Sequence, residues 1–277
     1  MLRHSCVLIV LVFLAMVFPG RAQIVTLTAD SGVTAQINSA SQAGMYNWNV
    51  GGVTQLNQQW FWYRIGTVGP ESSVDTISAA AINQTTTNQA TITYNNASLN
   101  VQLTYVLTGN TASSGLNESV RLINNTASSL DLHFFQYSDF DLNNTTGGQS
   151  VSLSNSTVRA TQTYSLGPAW VATETATPNA NHREAAFYNT TLASLNDVNP
   201  TTLNDNLTAG PGDVTFAYEW DFTIAAGGSK LISKIVNVSV PEPSAIALMV
   251  LGLAAITLRR AKARESTRTV SGDNTPN

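Results

Sequence analysis

The sequence predicts an all-β protein: a single antiparallel β-sandwich, jelly-roll-like, flanked by two address segments. Three observations carry this reading. First, apolar residues recur with period two. Val214, Phe216, Tyr218, Trp220, Phe222 and Ile224 alternate with Thr215, Ala217, Glu219, Asp221 and Thr223, and Leu99, Val101, Leu103, Tyr105 and Leu107 alternate with Asn100, Gln102 and Thr104. Such alternation places one residue set on each face of a half-buried antiparallel strand. Second, turn signals punctuate the chain at Gly51-Gly52, Gly69-Pro70, Gly147-Gly148, Gly210-Pro211-Gly212 and Gly227-Gly228. Third, helical periodicity is nearly absent, and many short strands separated by turns indicate a sandwich.

The remaining strands are expected at 24–29, 45–50, 58–65, 90–94, 118–123, 130–137, 157–164, 169–174 and 229–239, where threonine, valine and aromatics concentrate. Between Thr190 and Leu207, Leu192, Leu195 and Val198 mark at most one helical turn. Pro200 and the Asn/Asp content favour a long loop there. No internal repeat and no strong linker divides residues 23–240, so they are read as one ectodomain, large enough for its own core.

The N-terminus combines Arg3 and His4 with the apolar run Val7–Phe18 and the ending Gly20-Arg21-Ala22. These are the parts of a secretory signal. Twelve helical residues span roughly 18 Å, short of a bilayer crossing. Residues 1–22 are therefore read as a signal peptide directed to the Sec machinery, cleaved between Ala22 and Gln23. Cys6, the only cysteine, lies inside it, so the mature chain has neither disulfides nor thiolate chemistry.

At the other end, Pro241-Glu242-Pro243 is followed by the uncharged run Ala245–Leu258 and then by Arg259, Arg260, Lys262 and Arg264. Prolines cannot continue a strand and close the folded domain. Basic residues after an apolar run stay cytoplasmic, leaving the bulk of the chain outside the inner membrane. This order of elements resembles the sorting signal of PEP-CTERM proteins. The resemblance covers 241–264, with 265–277 as a polar cytoplasmic tail longer than usual for the family. It implies a transmembrane sorting helix, recognition of Pro241, Glu242 and Pro243 by an exosortase, and a Gram-negative host that makes exopolysaccharide. It also implies a precursor tethered to the inner membrane and then delivered to the outer surface or extracellular matrix.

Six basic residues against fourteen acidic ones leave the span 23–240 at −8 without a basic cluster. A nucleic-acid partner is therefore not expected. After signal removal the histidines are His133 and His182, in a strand and a polar loop respectively, and both are read as structural or solvated. No Gly-x-Ser-x-Gly elbow, phosphate loop or dinucleotide fingerprint accompanies them. Glu219 and Asp221 share a strand face, roughly 7 Å apart at strand rise, and read as a solvated pair. Asp139-Phe140-Asp141-Leu142-Asn143-Asn144 alternates oxygen ligands like the start of a calcium loop. Ser150, however, stands where a bidentate glutamate is needed. Calcium at Asp139, Asp141 and Asn143 is thus the one cofactor considered, against a plain polar hairpin end. In Trp60-Phe61-Trp62-Tyr63-Arg64 both faces are bulky. A strand buried on both sides is expected, with a sugar-stacking platform of Trp60 and Trp62 as the alternative.

Together these features predict a non-enzymatic exported surface or matrix protein. The alternatives are a carbohydrate-binding module acting on exopolysaccharide or a surface glycoside hydrolase using carboxylates.

Overall fold

The computed structural model describes residues 23–240. The signal peptide, including Ala22, and the sorting segment with Pro241, Glu242, Pro243 and its basic residues lie outside the described residues. Within 23–240 the chain forms two nine-stranded sheets, antiparallel throughout except for a short parallel contact of Gly44 and Met45 with Gln59. The first sheet runs in the order Ile24–Thr28, Thr34–Asn38, Gly44–Val50, Gln58–Ile65, Leu130–Asp139, Val214–Ile224, His182–Phe187. Val53–Thr54 and Ser72–Ser73 attach to it. The second runs Thr208–Gly212, Gln149–Leu153, Val158–Tyr164, Val171–Thr177, Ser229–Ser239, Ser113–Asn124, Leu99–Gly109, Gln89–Asn95, Ala81–Thr86. All-β architecture is thus observed, with more strands than the eight of a jelly roll.

The alternating pattern accounts for the second sheet directly. Ser113–Asn124 buries every other residue, and Leu116, Val120 and Leu122 face inward against Leu107, Leu103 and Val101. The first sheet departs from it. Residues 59–62 and 214–220 are buried on both faces, because the segments 66–80 and 188–207 cover the outer face. Six residues of the latter, Thr190–Leu195, form a short α-helix where a loop was expected, and an extended course to Leu207 follows it. Gly44 takes φ +58°, and a Cβ there would sit 2.3 Å from the Trp60 ring, so only glycine permits this approach of two strands.

A charged knot lies in the core between the sheets. Lys234 Nζ donates to Glu118 Oε2 at 2.6 Å and lies 3.7 Å from Glu174 Oε1. Gln136 Nε2 of the first sheet donates to Glu174 Oε1 at 2.7 Å, and the Lys234 ammonium stands 5.2 Å over the Phe61 ring. These contacts fix the two sheets face to face.

Trp60 and Trp62 are both fully buried. Trp60 Nε1 donates to Ser73 Oγ at 2.9 Å, and Trp62 Nε1 donates to Asn196 Oδ1 at 3.2 Å. The covering segments occupy the space a sugar would need, so neither ring offers an open stacking face.

Candidate functional site

Strand pairing brings distant residues to one face of the first sheet. His133 pairs with Asp221 and with Arg64 in its two neighbours, and His182 pairs with Glu219. Paired residues share a face, so both histidines flank Glu219 from adjacent strands. Forty-nine positions separate them in sequence.

Each histidine is held by an aspartate. His133 Nδ1 lies 2.5 Å from Asp221 Oδ1 and 3.6 Å from Glu219 Oε1. His182 Nδ1 lies 2.9 Å from Asp205 Oδ2. A carboxylate only accepts, so Nδ1 carries the proton in both rings and Nε2 is the acceptor nitrogen of the neutral ring. His133 Nε2 has no hydrogen-bond partner and stands 4.0 Å from Asp131 Oδ2.

Asp205, at φ +61°, also accepts from the Arg183 backbone N–H at 3.1 Å. Burial opposes its ionisation, but the His182 and Arg183 hydrogen bonds prevail and hold its carboxyl below the usual range. The hydrogen bond to Asp205 in turn raises His182, against a smaller opposing effect of burial.

Glu219 was expected to be solvated, yet it is 1% exposed. Its Oε2 accepts the Leu203 N–H at 2.9 Å. Burial pushes its carboxyl up to about 7, with the Leu203 hydrogen bond and both histidines pulling the other way. Asp221 stays partly open, its N–H donating to Asn181 Oδ1 at 3.0 Å. The assembly is a buried acid near neutrality between two oriented imidazoles, a set suited to general acid–base chemistry.

Among the described residues, two groups have possible ligand atoms all within 4.8 Å of one another: His133, Glu219 and Asp221, and Asp139, Asp141 and Asp213. In the first, His133 Nδ1 and Asp221 already satisfy each other. In the second, Asp213 joins the two aspartates from just before the strand Val214–Ile224. Asn143 follows in the same loop at φ +61°, with its N–H donating to Gln55 Oε1 at 2.9 Å. Burial raises Asp139 to about 7 and Asp141 to about 6, and it also raises Asp213.

The fold is an architecture that solved carbohydrate-active enzymes also use. The chain aligns over 83% of its length with a bacterial glucoamylase complexed with acarbose, at TM-score 0.58 and 11% identity, and spans 34% of that enzyme. It aligns over 79% with 99% of an aldose 1-epimerase homologue from Escherichia coli K12, at TM-score 0.55 and 10% identity. A GalM/aldose epimerase homologue from C. elegans gives TM-score 0.50 at 6% identity, with 79% of this chain and 99% of that one covered. At such identities the likeness is one of fold.

These likenesses correct the expectation of a non-enzymatic protein, because the architecture is one on which carbohydrate-active enzymes are built. Motif inspection missed the site because its residues meet only through strand pairing. The period-two pattern around Glu219 and the placement of His133 in a strand were the available signals.

The chain carries a PEP-CTERM protein-sorting motif at residues 239–261. That motif implies processing by an exosortase, with export and sorting of a membrane-anchored precursor to the cell surface. No curated protein matches the sequence.

Proposed function

We propose that this is an exported, exosortase-sorted surface protein whose ectodomain acts on carbohydrate of the surrounding exopolysaccharide by general acid–base chemistry. The observation that carries the reading is the placement of Glu219 between His133 and His182. Proton transfer at the anomeric centre of a sugar needs one group to give a proton to the ring or bridging oxygen and another to accept one. The best groups for this titrate near the working pH. A buried carboxyl near 7 beside two imidazoles meets that condition. The partly open Asp221 and His182 form the accessible edge at which a sugar hydroxyl would sit, with Asp131 at the rim and His133 Nε2 buried behind it.

Asp221 and Asp205 act as positioning residues, fixing which ring nitrogen holds the proton. Glu219 and Asp221 both lie against the same imidazole, so they leave no room for a glycosidic bond between them. This favours hemiacetal proton transfer over hydrolysis by a flanking carboxylate pair. The sugar-active folds of the glucoamylase and the aldose 1-epimerase homologue support the substrate class.

The test is polarimetry of freshly dissolved α-anomers of common hexoses with the full chain, together with reducing-sugar release from host exopolysaccharide. Acceleration by the wild type that falls roughly 10²-fold or more in Glu219→Gln and His133→Ala supports the reading. Sugar binding without turnover in either assay, or variants as active as wild type, would sink it.

A further inference from the structure

We propose that Asp139, Asp141 and Asp213 form a calcium-class cation site, at the opposite end of the same strands from the histidine face. Six residues of strand separate His133 from Asp139, roughly 20 Å at strand rise, so this site is independent of the acid–base reading.

The three carboxylates are the first support. Each offers an oxygen, and these oxygens lie within 4.8 Å of one another. Oxygens that share one Ca²⁺ at about 2.4 Å each lie up to about 4.8 Å apart. A wholly oxygen donor set favours a hard cation over a transition metal.

The second support is independent of the acidic cluster as such. Asp139 is 1% exposed, and while its Oδ2 accepts the Asn57 Nδ2 proton at 2.8 Å, its Oδ1 is buried without a partner. Asp141 Oδ1 is likewise buried and unpartnered. Tyr137 Oη and Thr215 Oγ1, on fully buried residues of the same sheet, have no partner beyond one another. The Tyr137 phenol feels the charges of Asp139 and Asp213. Buried carboxylate oxygens are rarely left without partners, and two of them together in one cluster of three acids fit a cation. A bound cation would satisfy these oxygens and offset the mutual repulsion of three carboxylates.

The site also has a structural consequence. Residues 140–148 carry the chain from the first sheet to the second. A cation bound at Asp139, Asp141 and Asp213 ties this crossover to the start of Val214–Ile224. The alternating Asp139-x-Asp141 spacing supplies two ligands, and the third comes from 72 positions further along the sequence.

The experiment uses the full chain stripped with EGTA, then titrated with terbium and afterwards with CaCl₂. Tyr137 stands close enough to sensitise terbium emission. The expected result is sensitised emission from the wild type that CaCl₂ displaces. Asp141→Asn should lose it or weaken calcium competition roughly tenfold or more, since affinity follows the ligand charge count. Asp213→Asn, at a less buried position that spares the core, should do the same, with its unfolding in EGTA unchanged from wild type. Absence of emission in the wild type, or emission and calcium competition unaltered in a folded Asp213→Asn, would overturn the site.

Discussion

The backbone N–H of Leu203 donates to Oε2 of Glu219 at 2.9 Å. This bond joins the segment that covers the first sheet to the acid at the centre of the candidate site. It is one of three of its kind. Glu71 Oε1 accepts the Thr201 N–H at 3.0 Å, and Glu184 Oε2 accepts the Asn204 N–H at 3.1 Å. Three buried glutamates therefore bind successive backbone donors of a segment that has almost no regular structure of its own. Thr191 Oγ1 adds a further bond to Glu184 Oε1 at 2.7 Å. Buried charged acceptors paired this way are strong anchors.

Glu219→Gln is expected to leave the segment in place, because the glutamine carbonyl oxygen still accepts the Leu203 N–H. The variant should fold and lose acid–base activity. It should also lose a pH dependence. Burial raises Glu219 to about 7 in the folded chain, against an ordinary value of 4.5. A raised acid favours folding fully only below its unfolded pKa, and that contribution is lost as pH rises through the folded value. Stability of the wild type should fall between about pH 4.5 and 7 more steeply than that of Glu219→Gln, as urea midpoints across that range will reveal.

His182 is expected to titrate above the ordinary value of 6.5, since the hydrogen bond to Asp205 stabilises the imidazolium. Its contribution to folding is present below 6.5 and disappears as pH passes the raised folded value. In Asp205→Asn the His182 ring resonance, followed by NMR, should move back toward the ordinary value. An unchanged titration would show that the Asp205 contact is not formed in solution.

Lys234→Met should be among the most damaging single changes, costing about 3–5 kcal/mol, because it leaves Glu118 and Glu174 buried without their cation. Adding Glu118→Gln and Glu174→Gln to Lys234→Met should recover part of that loss. Denaturant unfolding of the single and triple variants decides the point, and additive losses would contradict a coupled cluster.

Trp62→Ala is expected to destabilise the ectodomain by about 3–5 kcal/mol through the cavity it opens. It also removes the bond to Asn196. Any loss of sugar affinity should track unfolding. A stable variant that loses only glycan binding would restore the stacking platform that burial argues against.

Replacement of Glu242 by alanine should leave a chain that retains the tail in the native host, whereas the wild type should end near the Pro241–Ser244 stretch. Mass spectrometry of both mature ends tests this, and a new N-terminus at Gln23 would test the signal peptide in the same measurement.

Much was legible without coordinates. Period-two alternation marked Ser229–Ser239 to the residue, because burial of one face leaves its imprint on every second side chain, and it marked the bounds of Val214–Ile224 without showing that 214–220 are buried on both faces. The sorting motif was legible because its recognition depends on a contiguous order of residues. Thr34–Asn38, Gln149–Leu153 and His182–Phe187 were missed: they are short, polar in part, and placed by neighbours instead of by their own pattern. The pairing of Asp139 and Asp141 was visible as spacing, but their partner Asp213 was not.

The sequence by itself determined that the chain is β-structured, acidic between its ends and carries a sorting tail, since composition, alternation and terminal order are local properties. Only the tertiary structure decided that Trp60 and Trp62 are covered, that Glu219 is buried, and that His133 and His182 flank it. Those facts depend on which strands become neighbours and which segments lie over them, and strand pairing between residues far apart in the chain leaves no periodic mark on either one.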